Sequence, residues 1–415
     1  MLTGPRPPAG PFSQGAFVSE DWAEYDTAHI QVLEGAAAIR KRPGMYVGST
    51  GERGLHHQVF EVSDWAVNEV LAGRAGRVDV ELTADGCVRV GLDGPGIPVE
   101  ADGDTGGPSL EALLTRAHAG PPPGGRHSLP LGLFGIGPHV ANALSSTLTA
   151  EVRRDGVRWV QHYERGVAVG PPAPAGPANG SGTTILFRPD TGIFATVDHS
   201  FDALAERFRE LAFLNRGLAV SLTDRRSPSR PREARFLFPG GARDFVAFLD
   251  ASAGTSAQTD VLGFEQECPL MAGSVEVALR WNDTPTERIR SFANSAPTPD
   301  GGSHVVGFHD GMAAAINAFA RQRQLLTDPD PDPDPDPNPA PDLTADRVGA
   351  GLTAVISVKL DRPEYLGSTR GVLGNPAVRD CVAHAVRENV GAWLADAPQP
   401  AAAVVSRIVR GADCD

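Results

Sequence analysis

Gly54-Leu55-His56-His57-Gln58-Val59-Phe60-Glu61-Val62 is the stretch on which the fold turns. From His57 to Ala72 the apolar side chains fall at Val59, Phe60, Val62, Ala66, Val67, Val70 and Leu71, which is the period of an amphipathic helix. Glu61 is set inside that helix, four positions after His57 and three before Asp64. Downstream, Val78–Leu82 and Cys87–Leu92 alternate as two strands around an Asp85-Gly86 turn, and the loop Asp93-Gly94-Pro95-Gly96 follows. Helix, hairpin and glycine loop come in that order.

Working outward, a helix is expected at Leu110–Ala117, then a Pro/Gly-rich stretch from Gly120 to Gly125. A second glycine cluster, Gly132, Gly135 and Gly137, opens a helix that runs through Leu144. Residues without side chains let backbone N–H groups approach an anion at a helix N-terminus, although the same glycines also serve a tight loop with no ligand. Strands are expected at Leu148–Arg153, Val157–Tyr163 and Thr183–Arg188, and a helix at Phe201–Leu214. Ser, Pro and Arg crowd together at Arg225–Arg235 and break both periods, which marks a domain boundary. Beyond it, Val275–Trp281, Ile289–Ala293 and Thr353–Leu360 read as strands, and Val305–Arg321 and Pro376–Leu394 as helices. Between them the Asp-Pro repeat has no backbone donor at every second residue, so it is expected as an extended, solvated loop. Met1–Glu20, rich in Gly and Pro, reads as a flexible arm.

The 415 residues, 41 % of them hydrophobic, suffice for two or three cores. Against 37 basic residues stand 51 acidic ones, a formal charge of -14, and six of the acids (Asp328, Asp330, Asp332, Asp334, Asp336 and Asp342) lie in the Asp-Pro tract. Nothing in this balance points to a polyanion binder. The four cysteines, Cys87, Cys268, Cys381 and Cys414, are far apart in sequence, so neither disulfides nor structural zinc are expected, and a reducing, cytoplasmic setting is. No apolar run spans a bilayer and no leader pattern opens the chain, so no membrane partner is expected. There is no GxxxxGK[ST] loop, no dinucleotide fingerprint and no Ser/His/Asp order. His56 and His57, neighbours on a helix, point about 100° apart and make a poor metal pair.

Ile30–Tyr46 (IQVLEGAAAIRKRPGMY), preceded by Tyr25-Asp26 and followed by the Gly54–Val62 string, resembles the ATPase region of the gyrase B family of type IIA topoisomerases. The resemblance continues through Gly96-Ile97-Pro98, His118-Ala119-Gly120, Asn142-Ala143-Leu144-Ser145, Gly182-Thr183-Thr184, Phe213-Leu214-Asn215, Asp300-Gly301-Gly302 and Ile356-Ser357-Val358-Lys359. It implies an arm over residues 1–24, an ATP-binding GHKL (Bergerat) α/β sandwich over 25–230, and over 236–415 a smaller α/β transducer of ribosomal-protein-like fold with the Asp-Pro loop at 328–342. It implies Glu61 as the general base, Gly132, Gly135, Gly137 and Asn142 along the phosphates, Asp93 and Thr183 near the adenine, and Gly96 among the cofactor-binding residues. Arg370 is implied to reach in from the second domain.

Several positions depart from the family pattern. Trp65 replaces an Asn that binds magnesium and Leu92 an acid that holds adenine, while Asn68 and Pro95 replace an Asp–Arg pair. The lid Gly120–His127 keeps only Arg126 and His127 as donors, and Ser368-Thr369-Arg370 stands for Gln-Thr-Lys. Two readings stay open. One is an ATP-operated clamp that dimerises through its arm, with DNA or gyrase subunits as partners. The other is a relative with weak ATP binding, no magnesium ligand at residue 65 and no hydrolysis, serving as a dimeric scaffold, a resistance factor or a small-molecule site. The family's TOPRIM cleavage domain is not expected within these residues.

Overall fold

The computed structural model describes residues 33–100, 109–117, 129, 136–326, 342–367 and 370–412. The arm at 1–24, Gly132, Gly135, the lid Gly120–His127, Ser368-Thr369 and all of the Asp-Pro loop except Asp342 lie outside the described residues.

Three helices, α1 (Gly35–Lys41), α2 (Gly44–Val47) and α3 (Glu52–Leu71), lead into the hairpin β1 (Arg77–Leu82) and β2 (Val88–Leu92). Helices α4 (Leu110–Thr115) and α5 (Pro138–Ala143) precede β3 (Ser145–Arg154), β4 (Val157–Glu164), β5 (Val167–Ala168), β6 (Ala173–Pro177) and β7 (Gly182–Pro189). Then come α6 (Phe201–Leu214), β8 (Ala219–Asp224) and β9 (Arg232–Phe236). The nine strands form one sheet in the order β5-β4-β3-β7-β2-β1-β8-β9, with β6 also on β4. Strand alternation gives that sheet one apolar face. Val78, Val80, Leu82, Val88, Val90, Leu92, Ile185 and Phe187 pack on Val59, Val62 and Trp65 of α3 and on Leu204, Phe208 and Leu211 of α6. The opposite face carries polar pairs such as Ser221 Oγ to Asp79 Oδ1 at 2.6 Å, so this half is a two-layer α/β sandwich. Each large apolar side chain buried there contributes about 1.5–3 kcal/mol.

Helix α7 (Ala242–Ala253) opens the second half, followed by β10 (Leu262–Cys268), β11 (Gly273–Trp281), β12 (Arg288–Ala293), β13 (Ala296–Pro297) and α8 (Ser303–Gln322). Helix α9 (Ala345–Val348), β14 (Leu352–Leu360), β15 (Tyr365–Leu366), β16 (Val372–Leu373), α10 (Pro376–Asp396) and α11 (Pro398–Ala412) complete it. Five strands order as β10-β11-β14-β12-β13. Both faces of β11 and β14 are covered, which is why these strands read as near-continuous apolar runs. Val275, Val277, Ile356 and Val358 face α8, α10 and α11, while Ala278, Phe292 and Val355 meet Phe245 and Val246 of α7. Phe213 and Leu214, at the end of α6, join that last cluster and tie the two halves together.

Two expectations need correction. The Ser/Pro/Arg-rich stretch is the turn of the β8–β9 hairpin, and β9 still pairs with the large sheet, Val220 opposite Phe236. Sequence texture registers a turn and a boundary alike. Cys268 and Cys381 form a disulfide with Cα atoms 6.3 Å apart, although 113 residues separate them. Packing of α10 against β10 brings them together, a proximity that spacing along the chain does not report. Cys87 is free and buried. No helix among the described residues is long and apolar enough to cross a membrane.

Candidate active site

The floor of the site is α3 against α5. Gln58 Nε2 donates to Ala141 O at 3.0 Å and to Ser145 Oγ at 2.9 Å, which fixes α3 along the start of β3. Three residues on, Glu61 is 1 % exposed, and its Oε2 accepts the backbone N–H of Gly137 at 3.1 Å. Gly137 is the residue before α5, with φ at +76°, and the Pro138 ring that begins the helix has no N–H to offer. A carboxylate therefore stands at the N-terminal end of α5, where the helix dipole favours an anion. Asn142 at the far end of α5 is fully buried; its Nδ2 donates to Leu114 O at 2.8 Å, and its Oδ1 has no hydrogen-bond partner.

A second group of expected residues gathers at the end of the β1–β2 hairpin. Leu92 is opposite Thr183 in the β2–β7 register. Thr183 Oγ1 accepts the N–H of Ile97 at 3.1 Å, and Asp93 Oδ1 accepts those of Gly76 and Arg77 at 2.6 and 3.0 Å. Asp93 thus clips the start of β1 to the end of β2. Gly96, at φ +77°, lies so close to β3 that a Cβ would sit 2.7 Å from Arg153 O, and this explains a glycine there without a ligand. Arg370 has φ +56°, with its guanidinium carbon 5.9 Å from the Tyr365 ring centre.

Departures from the family pattern have structural roles of their own. Trp65 is 4 % and Leu92 8 % exposed, and both belong to the core between α3 and the large sheet. An indole in that core offers magnesium no oxygen ligand, so the residue present does not fit the ion. Among the described residues, no group of three or more His, Cys, Asp or Glu is arranged to hold a metal. Asn68 grips the backbone of Leu129 from both sides, its Nδ2 donating to Leu129 O at 3.1 Å and its Oδ1 accepting from Leu129 N at 2.7 Å.

Sequence reasoning named His57 and Asp64 only as neighbours of Glu61 on one helix and gave them no role. His57, one turn before Glu61, has its pKa lowered to about 4 by burial and then by Arg53, Arg207 and His56. Asp64, one turn after, has its carboxyl pushed up to about 6 by burial, against the pull of Arg207. A charged residue three positions from Glu61 inside a packed helix was the signal available.

A family model described as DNA gyrase B matches residues 241–414. The 43K ATPase domain of Thermus thermophilus gyrase B, solved in complex with an aminocoumarin, superposes with a TM-score of 0.72 and 31 % identity, over 91 % of this chain and 94 % of that one. The chain belongs to the DNA gyrase B family. The gyrase B protein of Streptomyces coelicolor is 41 % identical over 406 residues, 94 % of this chain and 58 % of the relative. The novobiocin-resistant gyrase B protein of Streptomyces niveus is 40 % identical over 404 residues, again 94 % and 58 %. The chain therefore spans somewhat over half the length of these gyrase B relatives, and its mixed α/β architecture is that of the solved gyrase B ATPase domain.

Proposed function

We propose that this chain is the ATP-binding clamp module of a gyrase-B-type protein, acting in the cytoplasm as a homodimer joined through its N-terminal arm, with DNA or gyrase subunits as partners. The observation that carries the reading is the Glu61–Gly137 hydrogen bond, which holds a buried carboxylate at the start of α5. In this reading Glu61 is the general base that takes the proton of an attacking water. Gly132, Gly135, Gly137 and Asn142 flank the phosphates, Asp93, Gly96 and Thr183 shape the adenine end, and Arg370 approaches from the second half. The amide nitrogen of Asn142 is engaged by Leu114 O, so its part is to hold α5 against α4. Phosphate donors then come from the glycine loop and from Arg126 and His127 of the lid.

The burial of Trp65 and Leu92 favours a qualified form of this function: ATP bound weakly, without a magnesium ligand at residue 65, and turned over slowly. Each missing polar contact removes about 1–3 kcal/mol. A complete loss of ATP binding, leaving only a scaffold or resistance role, draws no support from the family comparisons. Calorimetric titration of the intact chain with a non-hydrolysable ATP analogue tests the reading. Saturable binding supports it, and no heat up to millimolar analogue overturns it.

A further inference from the structure

Behind the helix that bears Glu61 runs a chain of buried polar groups that the nucleotide reading does not use. Arg207 on α6 is 16 % exposed at its side chain, and its Nη2 lies 3.8 Å from Oδ1 of Asp64, an oxygen that has no hydrogen-bond partner. Nη1 of the same guanidinium donates to Ser295 O at 3.0 Å, in the turn between β12 and β13. One rigid fork therefore touches α3 in the first half and the five-stranded sheet in the second.

The turn it reaches is itself held by β14. Asn294 and Ser295 both take left-handed φ values, +49° and +61°, and side-chain bonds keep them there. Asn294 Nδ2 donates to Leu360 O at 2.9 Å, and its Oδ1 accepts from Leu360 N at 2.7 Å. Ser295 Oγ accepts from Nδ2 of Asn215 at 3.1 Å, and Lys359 Nζ donates to Oδ1 of Asn215 at 3.4 Å. A second ion pair, Glu210–Arg290, joins α6 to β12 one turn further along α6.

We propose that Arg207 is a positioning residue: it locks α3, and with it Glu61, to the Asn294–Ser295 turn, so that a shift of either is felt by the other. The consequence for catalysis rests on the reading of Glu61 as general base; the mechanical link does not. Asp64 is the α3 end of the link and Ser295 O the sheet end. A half-buried arginine that merely filled space between α6 and its neighbours would couple neither.

The test is hydrogen exchange on the intact chain, resolved to the segments His57–Trp65 and Ile289–Thr298, for the wild type, Asp64→Asn and Arg207→Gln, with a thermal melt on each sample. Asp64→Asn changes only α3, is nearly isosteric and leaves every contact within the second sheet in place. It is expected to raise exchange about threefold or more at the distant Ile289–Thr298 segment, and Arg207→Gln should raise exchange in both segments together. Arg207→Lys, which keeps the charge but not the fork, should restore one segment and not both. If Asp64→Asn leaves Ile289–Thr298 unchanged in a protein of normal melting temperature, the link does not exist. Should a variant fold poorly, the reverse probe Asn294→Gly, which loosens the turn, must raise exchange at His57–Trp65, and its failure to do so also overturns the proposal. Adding an ATP analogue to the wild type separates the two claims. If the analogue leaves the chain untouched while the cross-effect persists, the nucleotide reading fails and the link stands.

Discussion

Gly137 donates its backbone N–H to Glu61 at 3.1 Å across 76 residues of sequence, and this bond joins the two features expected to carry chemistry, the carboxylate in α3 and the glycine cluster before α5. Glu61→Gln keeps an acceptor for Gly137 but no base. The variant should melt within a few degrees of the wild type and still bind an ATP analogue, while any ATP turnover falls about a hundredfold or more. Unchanged turnover would remove Glu61 from the mechanism.

Trp65 and Leu92 share one core, so reverting them to the family's residues meets packing before it meets chemistry. Trp65→Asn with Leu92→Asp is expected to lose roughly 3–5 kcal/mol at Trp65 alone, as large-to-small core changes do. The double variant should melt early and gain no affinity for ATP. A variant of normal stability that binds an ATP analogue about tenfold more tightly would show that these side chains block a pocket that is otherwise ready.

Legibility followed the range of the forces involved. Periodicity alone located α6 at the residues observed and placed β11, β12, β14 and α10 within two residues at each end, because each carries apolar residues at the period of its element. β8, β9, α7, β10 and α11 were not read: β9 and β10 are short or partly exposed, and the α7 segment GARDFVAFLDASA begins at a glycine without a capping side chain. Within the site, Glu61 and Gly137 were readable as residue types. The use of Asp93 as a clip between β1 and β2, and the grip of Asn68 on Leu129, depend on segments that meet only after folding. The same holds for Cys268 and Cys381.

Asn68 is such a case and is testable. Its two bonds to Leu129 satisfy a donor and an acceptor of one peptide segment, and Asn68→Ala leaves both without this partner. A loss of roughly 1–3 kcal/mol is expected in a denaturant melt, and Asn68→Asp, which keeps only the acceptor, should recover part of it. An unperturbed Asn68→Ala variant would mean that water replaces the amide.

Acid should destabilise the chain earlier than its carboxylates alone require. Burial lowers the pKa of His57 to about 4, of His199 to about 3 and of His304 to about 4. Each is neutral when folded and protonates near pH 6.5 when unfolded, so the unfolded chain binds more protons and stability falls as pH drops from about 6.5 toward 4. Asp64, raised to about 6, runs the other way, because the folded state holds its proton more tightly than the unfolded one. The three histidines outweigh it, and the melting temperature should decline steadily between pH 6.5 and 4.5. Nε2 of His199 has no hydrogen-bond partner, so His199→Asn should flatten the decline by about 2 kcal/mol. A slope identical to the wild type would contradict neutral burial of that ring.

The most direct measurement of the central claim is a pair of calorimetric titrations with a non-hydrolysable ATP analogue, one in excess EDTA and one in millimolar magnesium. A gyrase-B-type pocket with Glu61 in place and an indole at residue 65 predicts saturable binding in both, with dissociation constants within about threefold of each other, since 1.4 kcal/mol would already be tenfold. Absence of binding in both, or binding that tightens tenfold or more with magnesium, would contradict it.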